Sequence, residues 1–274
     1  MASQQEEPEY HLLGTFTRYS SWTARVETLL EYYQIPYSKT IVKLSEVKEH
    51  SKSGLVPVLT ARSLSVNTEI NDSLSICEFL AESHPDLPLW PKDRYLRSLA
   101  RSAVAQMHSG FTAIRNVYHS NFIGKYTGNI PVSEEARKEI ERILVIWADS
   151  RRKTTERLKL LGEADDGFLF GKFGIVDSFY WPVLWRFRTY NLPLTTATPE
   201  AVNWMKTMWN DPSLKVLISE YFRQAENPES SIRKYENIFK DGHPDIEYGV
   251  FTEDWGFMGP NTMPNAGELK SAVC

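Results

Sequence analysis

Residues 54–59 read Gly-Leu-Val-Pro-Val-Leu, and this stretch determines how the first third of the chain is expected to fold. Its valines and leucines predict a short strand. Pro57 must lie at the start or the edge of that strand, because proline has no N–H to donate to a neighbouring strand. Residues 64–66, Leu-Ser-Val, follow after a turn and predict the second strand of a hairpin.

The residues on either side of this hairpin predict a small α/β domain. Residues 10–16 and 37–42 predict strands, and between them apolar residues recur at helical spacing until Pro36. Residues 43–54 predict an irregular loop with at most one helical turn, and a second helix is expected from Ser73. A strand–helix–strand unit implies a parallel pair, to which the hairpin adds antiparallel strands. This order is typical of thioredoxin-like domains.

The rest of the chain predicts helices. Apolar residues recur at steps of three and four, with no strand pattern. Leu96 to Tyr118 are expected to form one long helix, and residues 177–190 a helix buried in the centre of a bundle. The expected organisation is a polar tail (1–9), a thioredoxin-like domain (10–84), a proline-rich linker (85–93), a helical domain (94–226) and a C-terminal extension (227–274).

Composition and charge argue against several classes of function. The 274 residues carry a net charge of −4, so no excess of basic residues is available for nucleic acid or a membrane surface. The two cysteines, Cys77 and Cys274, predict no disulfide framework, and the histidines show no metal-binding spacing. Neither a secretory signal nor a membrane-spanning stretch is expected. We therefore expect a cytoplasmic protein without a metal.

Four motifs resemble those of the glutathione S-transferase superfamily, and the likeness covers roughly residues 10–225. Residues 19–26, Tyr-Ser-Ser-Trp-Thr-Ala-Arg-Val, are similar to the start of the first helix in zeta-class and related bacterial members. Residues 54–59 resemble the family's Val-Pro turn, 71–76 the start of its third helix, and 168–177 the stretch before its central helix. The resemblance implies an α/β thioredoxin-like domain followed by an all-helical domain, with glutathione as cofactor, a small-molecule electrophile as partner, and a homodimer.

The resemblance also assigns the catalytic role to Ser20 or Ser21. The thiolate of glutathione is the nucleophile, and a hydroxyl that donates to it at a helix N-terminus favours the ionised form. We favour Ser20 over Ser21 narrowly. The alternative is that one of the two serines only caps the helix. Arg25, one turn further along, is expected to make a structural salt bridge.

The same resemblance implies which residues bind glutathione. Pro57 in cis would turn the backbone N–H and C=O of Val56 toward the bound peptide. Asp72 and Ser73 would hold the γ-glutamyl end at a helix start, where backbone N–H groups are free. Ordinary helix capping by Asp72 and Ser73 is the alternative.

One position departs from the family pattern. Many relatives carry Lys or Gln immediately before the Val-Pro pair, where this chain has Leu55. We expect Lys52 or Lys43 to replace the missing polar contact. Before the central helix, Gly174 and Asp177 take the positions of a capping box, which predicts a folding device.

Five residues of the helical domain are candidates for the electrophile pocket. Arg115 would recognise a carboxylate, and His108 would contact an acidic substrate or transfer a proton unless it is structural. Phe111, Tyr118 and Phe122 would supply apolar walls. For Tyr118 and Phe122 the alternative is the core of the bundle.

The motifs together predict an enzyme that adds the glutathione thiolate to an electrophilic small molecule. Addition to a conjugated cis alkene, rotation and departure of the thiolate would instead give isomerisation, as in the zeta class. A third reading is a non-catalytic binding or regulatory protein, since translation factors and nitrogen regulators use the same fold.

Overall fold

The computed structural model of the chain describes residues 7–64, 68–257 and 259–260. Its N-terminal elements are β1 (Tyr10–Gly14), α1 (Ser21–Tyr32), β2 (Tyr37–Ile41), α2 (Val47–His50), β3 (Val58–Ala61), β4 (Ile70–Asn71) and α3 (Ser73–Ser83). The sheet order is β2–β1–β3–β4. Strand β1 pairs in parallel with β2 and antiparallel with β3, which confirms the predicted α/β domain.

The hairpin partner of β3 differs from the predicted one. Strand β4 pairs antiparallel with β3 and places Asn71 opposite Val58, whereas the sequence placed this strand at residues 64–66. Leu64 closes a turn instead, because its N–H donates to the C=O of Ala61 at 3.1 Å. Residues 65 and 66 lie outside the described residues. The β3–β4 pairing leads the chain directly to Asp72, at the start of α3.

The second half of the described chain is mainly helical. Its helices are α4 (Arg94–Ser109), α5 (Thr112–Val117), α6 (Glu134–Leu161), α7 (Ile175–Thr189), α8 (Pro199–Asn210) and α9 (Pro212–Glu226). Every residue of α7 is buried, and the helix packs against both α1 and α4. A carboxylate oxygen of Asp177 accepts the Gly174 N–H at 3.0 Å, which confirms the predicted capping. The predicted helical domain is therefore confirmed, with α7 at its centre.

The single long helix predicted from Leu96 to Tyr118 is wrong. The chain breaks between α4 and α5, where Phe111 has a left-handed backbone with φ of 57°. A side chain at Gly110 would lie 2.7 Å from the C=O of Gln106, so this position requires glycine. The apolar spacing continues across the break because both short helices bury a face, and periodicity alone does not detect the turn.

A pair of strands joins the helical domain to the C-terminal extension, although the sequence predicted no strand in either. Strand β5 (Gly124–Thr127) pairs antiparallel with β6 (Glu247–Val250), over 120 residues later in the chain. Four-residue strands give too short an alternation to be recognised by pattern. This pairing ties the chain after α9 to the bundle.

A buried arginine anchors the same C-terminal region. The Arg188 guanidinium lies 4.1 to 5.1 Å from the centres of four rings, those of Trp185, Trp209, Phe251 and Trp255. It donates to a backbone C=O at 2.6 Å, and burial lowers its pKa. Through residue 257 the predicted extension is therefore packed against the bundle. Residues 261–274, like the tail residues 1–6, lie outside the described residues.

Candidate functional site

An open cleft of about 650 Å³ lies between the sheet domain and the helical bundle. Its sheet-domain wall includes Ser20, Ser21, Trp22, Lys48, Leu55 and Val56. Its helical wall includes Arg115, Asn116, His119, Ser120 and Arg186, and the chain after α9 adds Ile232 and Tyr235. Lysine and arginine side chains line the cleft, and no aspartate or glutamate of the described residues does. The cleft is therefore suited to an anionic ligand.

The two serines have different environments. Ser20 is the N-cap of α1, and its side chain accepts the Thr23 N–H at 3.2 Å. Its hydroxyl also donates to the Thr23 side-chain oxygen at 2.9 Å, so both of its hydrogen-bonding functions are in use. Ser21 is the first residue of α1, lines the cleft, and makes no side-chain hydrogen bond to any described residue. The capping alternative therefore describes Ser20, and the free hydroxyl is that of Ser21.

The Val56–Pro57 peptide bond is cis, as predicted. Val56 lines the cleft, and within the described part of the chain its backbone N–H and C=O have no hydrogen-bond partner. The neighbouring Leu55 side chain is 71% exposed and also lines the cleft. A peptide backbone lying along Val56 would find an unpaired donor and an unpaired acceptor there.

Asp72 and Ser73 occupy the start of α3, as predicted. Asp72 has a positive φ of 75°, and one of its carboxylate oxygens accepts the Leu74 N–H at 2.8 Å. Ser73 is fully buried, and its hydroxyl accepts a long hydrogen bond of 3.4 Å from Arg25. Neither residue is part of the cleft lining given above. The contacts present are those of capping and packing, and a role with glutathione stays a prediction.

His108 lies behind the cleft wall. Its Nε2 is 3.3 Å from a carboxylate oxygen of Asp72. Its ring lies nearly perpendicular to that of Trp22, with the ring centres 5.5 Å apart. Burial lowers its pKa, with Arg25 and Arg115 contributing, although Asp72 opposes the shift. His108 therefore connects Asp72 to the Trp22 wall, and the structural alternative describes it better than substrate contact.

The salt bridge expected for Arg25 is wrong. Its buried guanidinium lies over the rings of Trp22 and Phe179, at 4.3 and 4.7 Å, and no described carboxylate lies within 4 Å. Burial, with Arg115 and Arg186 nearby, lowers its pKa to about 9. Arg25 thus adds positive charge behind the cleft and packs by cation–π contact.

Two arginines face the cleft from the helical domain. Arg115 donates from one nitrogen to the C=O groups of His108 and Gly110, both at 3.2 Å, and lies 4.7 Å from the Trp22 ring centre. Arg186 is buried and donates to the C=O of Tyr118 at 2.8 Å. Neither forms an ion pair within the described ranges. Since guanidinium has five N–H donors, both retain donors for a ligand.

Arg186 was missed at the sequence level. The available signal was an arginine inside the helix predicted to be buried on all sides, where a charge must have a partner or a function. Burial lowers its pKa to about 10, so the group remains protonated at neutral pH. His119, also missed, follows α5 and lies 4.9 Å from the Tyr235 ring.

Three predicted pocket residues lie elsewhere. Tyr118 is buried and donates its hydroxyl to the C=O of Pro131 at 2.7 Å. Phe122 is buried and stacks on Trp185 with ring centres 5.0 Å apart. Phe111 is buried at the α4–α5 break. The core alternative is therefore correct for Tyr118 and Phe122, and none of the three lines the cleft.

The lysine that lines the cleft is also different from the two predicted. Lys43 pairs with Glu229 at 3.5 Å, and Lys52 pairs with Glu69 at 3.6 Å. Lys48, on α2, lines the cleft beside Leu55. The polar loop around α2 has no periodicity from which this orientation could be predicted.

The chain is thus a two-domain protein in which a thioredoxin-like domain and a helical domain share a cleft. One wall of this cleft carries a serine hydroxyl at the start of α1, and the other carries arginines. The N-terminal domain of glutathione S-transferase matches residues 19–83, and its C-terminal domain matches residues 130–207. The chain therefore belongs to the glutathione S-transferase family.

Curated relatives and a solved structure extend this finding. The chain is 31% identical to maleylacetoacetate isomerase of Dictyostelium discoideum over 120 residues, which are 40% of this chain and 55% of the relative. It is 34% identical to a probable maleylacetoacetate isomerase of Caenorhabditis elegans over 98 residues, 35% and 45% of the two chains. It thus spans about half the length of these relatives.

The solved structure supports the fold. A glutathione transferase homologue from Burkholderia, crystallised with bound glutathione, superimposes with a TM-score of 0.55 at 22% identity, over 79% of this chain and all of that one. Within the described ranges, no helix is long and apolar enough to cross a bilayer, and no group of three or more His, Cys, Asp or Glu could hold a metal ion.

Proposed function

We propose that this chain is a glutathione-dependent enzyme in which Ser21 stabilises the glutathione thiolate and Arg115 and Arg186 hold an electrophile that carries a carboxylate. One observation carries this proposal. A hydroxyl without a partner in the described chain, at the start of α1, shares a cleft with arginines and with no described carboxylate side chain.

Ser21 is favoured over Ser20 because of hydrogen-bond availability. A thiolate needs an O–H that is free to donate, and the Ser20 hydroxyl already donates to Thr23. Ser21 lies at the N-terminus of α1, where the backbone N–H groups add partial positive charge. Both effects favour S⁻ over S–H, and the thiolate is the reactive nucleophile.

Glutathione would lie along the sheet-domain wall. Its cysteinyl backbone would pair with the free N–H and C=O of Val56, next to Pro57. Lys48 would bind a carboxylate of glutathione and so take the role of the Lys or Gln that many relatives carry at the position of Leu55. Asp72 and Ser73 would bind the γ-glutamyl end, at the cost of loosening the present Asp72–His108 contact. The bound glutathione of the Burkholderia structure supports the ligand, and homodimer formation stays a prediction of the family resemblance.

The reaction would begin with addition of the thiolate to a carbon of a conjugated alkene. A C–S bond forms while the alkene electron pair moves onto the conjugated carbonyl. Protonation of the resulting enolate gives a stable conjugate. Rotation about the former double bond and departure of the thiolate restore the alkene in the trans form and return glutathione unchanged. The isomerase names of the two curated relatives support this second outcome as an alternative.

A matched pair of electrophiles tests the proposal. One is a cis-conjugated enone carrying a free carboxylate, and the other is its methyl ester. We expect the acid to react with a kcat/KM at least about tenfold higher, since hydrogen bonds to charged groups contribute about 1.5–3 kcal/mol. Proton NMR of the products separates the outcomes, because conjugation consumes glutathione and isomerisation does not.

Two results would contradict the proposal. Equal rates for acid and ester would remove the role of the arginines in substrate choice. No rate above the uncatalysed reaction, in a folded protein that binds glutathione, would favour the non-catalytic alternative.

A further inference from the structure

The chain after α9 returns to the loop that carries the serine pair. This return segment, residues 227–240, lies outside both matched family regions. Ile232 and Tyr235 line the cleft. Glu236 follows immediately, with 26% of its side chain exposed. The Glu236 carboxylate thus lies beside the cleft but is not part of its lining.

Glu236 binds two loops at once. The Tyr19 hydroxyl donates to one of its carboxylate oxygens, and the Arg18 guanidinium lies 3.8 Å from the same oxygen. The side-chain amide of Asn121, in the loop after α5, donates to the other oxygen at 3.2 Å. One side chain therefore joins the loop before α1 to the helical wall of the cleft.

The loop before α1 depends on the helical domain for its other contacts too. The Gln224 side chain accepts the Arg18 N–H at 3.2 Å and donates to the Thr17 hydroxyl at 2.7 Å. The C=O of Arg18 accepts the Phe122 N–H at 2.9 Å. These contacts hold Thr17 and Arg18, whereas Glu236 holds the Tyr19 side chain, directly before Ser20.

We propose that Glu236 is a positioning residue for the thiolate site. By fixing Tyr19 and Arg18, it keeps Ser20 in its capping position and the Ser21 hydroxyl directed into the cleft. The inference rests on the proposed function, since it assigns Glu236 a role only if glutathione binds beside Ser21. The return segment therefore contributes Tyr235 to the helical wall of the cleft, and through Glu236 it also positions the hydroxyl that stabilises the thiolate.

Variants of this contact test the inference in the full-length protein. Glu236→Ala removes the contacts to Tyr19, Arg18 and Asn121. Glu236→Gln keeps an acceptor for Tyr19 but removes the charge facing Arg18, and Tyr19→Phe deletes only the hydroxyl. Glu247→Gln, at an exposed position of β6, is the matched control. The measurements are kcat, KM for glutathione, and the ultraviolet difference absorbance of bound thiolate at saturating glutathione and fixed neutral pH.

We expect Glu236→Ala to lower kcat and the thiolate signal about tenfold, and Tyr19→Phe about threefold, because a lost charge-assisted hydrogen bond misdirects the Ser21 donor. Glu236→Gln should fall between wild type and Glu236→Ala. KM for glutathione should rise by no more than the factor by which the thiolate signal falls, since the rest of the peptide site is intact. The Tyr19→Phe/Glu236→Ala double variant should be no worse than Glu236→Ala alone.

A purely structural role would give a different result. Folded variants with a lower melting temperature but a normal thiolate signal and normal kcat would overturn the inference. If Glu236→Ala does not fold, Glu236→Gln decides, because it keeps the size of the side chain, whereas Tyr19 itself lines the cleft. If wild-type protein binds no glutathione, the proposed function fails and this inference falls with it, whereas a normal wild type beside unaffected variants rejects the inference alone.

Discussion

The two walls of the cleft are built from different kinds of chemical group. The sheet-domain wall offers a free hydroxyl at Ser21, the backbone of Val56 and the ammonium of Lys48, all within residues 21–56. The helical wall offers guanidinium groups, an imidazole and a tyrosine ring that are drawn from positions as distant as Arg115 and Tyr235. In the proposed function, the first wall binds glutathione and the second binds an electrophile that carries a carboxylate.

The positions of the groups on the two walls are determined in different ways. A short motif can fix the position of a backbone group or of a helix N-terminus, because neighbouring residues determine both. A pair of arginines from separate helices is fixed only by the packing of the whole bundle. We therefore expect substitutions on the two walls to have separable effects.

The largest effect is expected on the C-terminal region that packs around Arg188. Phe251→Ala should lower the free energy of unfolding by about 3 kcal/mol, because Phe251 is a buried ring and one of the four that surround the Arg188 guanidinium. Urea unfolding measures this change. Val250→Ala, at the neighbouring exposed position, should cost less than about 0.5 kcal/mol. Equal losses of unfolding free energy in the two variants would show that packing of Phe251 against Arg188 does not stabilise the fold.

The next effect separates the two serines. Ser21→Ala should lower kcat/KM about 10- to 100-fold with little change in stability, because it removes the donor to the thiolate. Ser20→Ala should cost about 1 kcal/mol of unfolding free energy, since it removes the N-cap of α1, with a smaller loss of activity. Steady-state kinetics and urea unfolding of both variants check this division. The reverse ranking of activities would assign the thiolate to Ser20.

A smaller effect is expected on the opposite wall. Arg115→Gln should raise KM for the carboxylate electrophile about tenfold and change KM for its methyl ester less than twofold, because only the acid needs the charge. Arg25 and Arg186 leave the cleft positive in this variant. An equal rise for both electrophiles would indicate a loss of shape and not of charge.

The smallest effect concerns pH. Burial, with Arg186 and Lys234 nearby, lowers the pKa of His119 below its usual value of 6.5. The folded state then binds fewer protons than the unfolded state, so stability rises with pH up to about 6.5 and is lost on acidification below it. His119→Gln should reduce the rise of the unfolding free energy with pH in this range, because it removes the titrating group. Urea unfolding at a series of pH values measures it, and an unchanged slope would contradict the assignment.

The sequence was most informative where chemistry is local. The fold, the buried α7 and the serine pair at the start of α1 were predictable from short motifs and periodicity. The cis bond at Pro57 was implied only by the family resemblance. The choice between Ser20 and Ser21 was not, because it depends on which hydroxyl bonds to Thr23. Capping and catalysis use the same residue type at the same place.

The helical wall was predicted poorly for a physical reason. Tyr118 and Phe122 have the apolar character of pocket walls. After the break at Phe111, however, the chain places both side chains in the core of the bundle. Arg186 and Tyr235 reach the cleft only because α7 and the return segment pack as they do. Contacts between positions more than 60 residues apart leave no local pattern.

Calorimetric titration of glutathione into wild type, Ser21→Ala and Arg115→Gln measures whether the two walls act separately. We expect binding near or below millimolar in wild type, the same affinity in Arg115→Gln, and a lower affinity in Ser21→Ala at a pH where the bound thiol is ionised. No heat in wild type, together with no thermal stabilisation by glutathione, or loss of binding in folded Arg115→Gln, would contradict it.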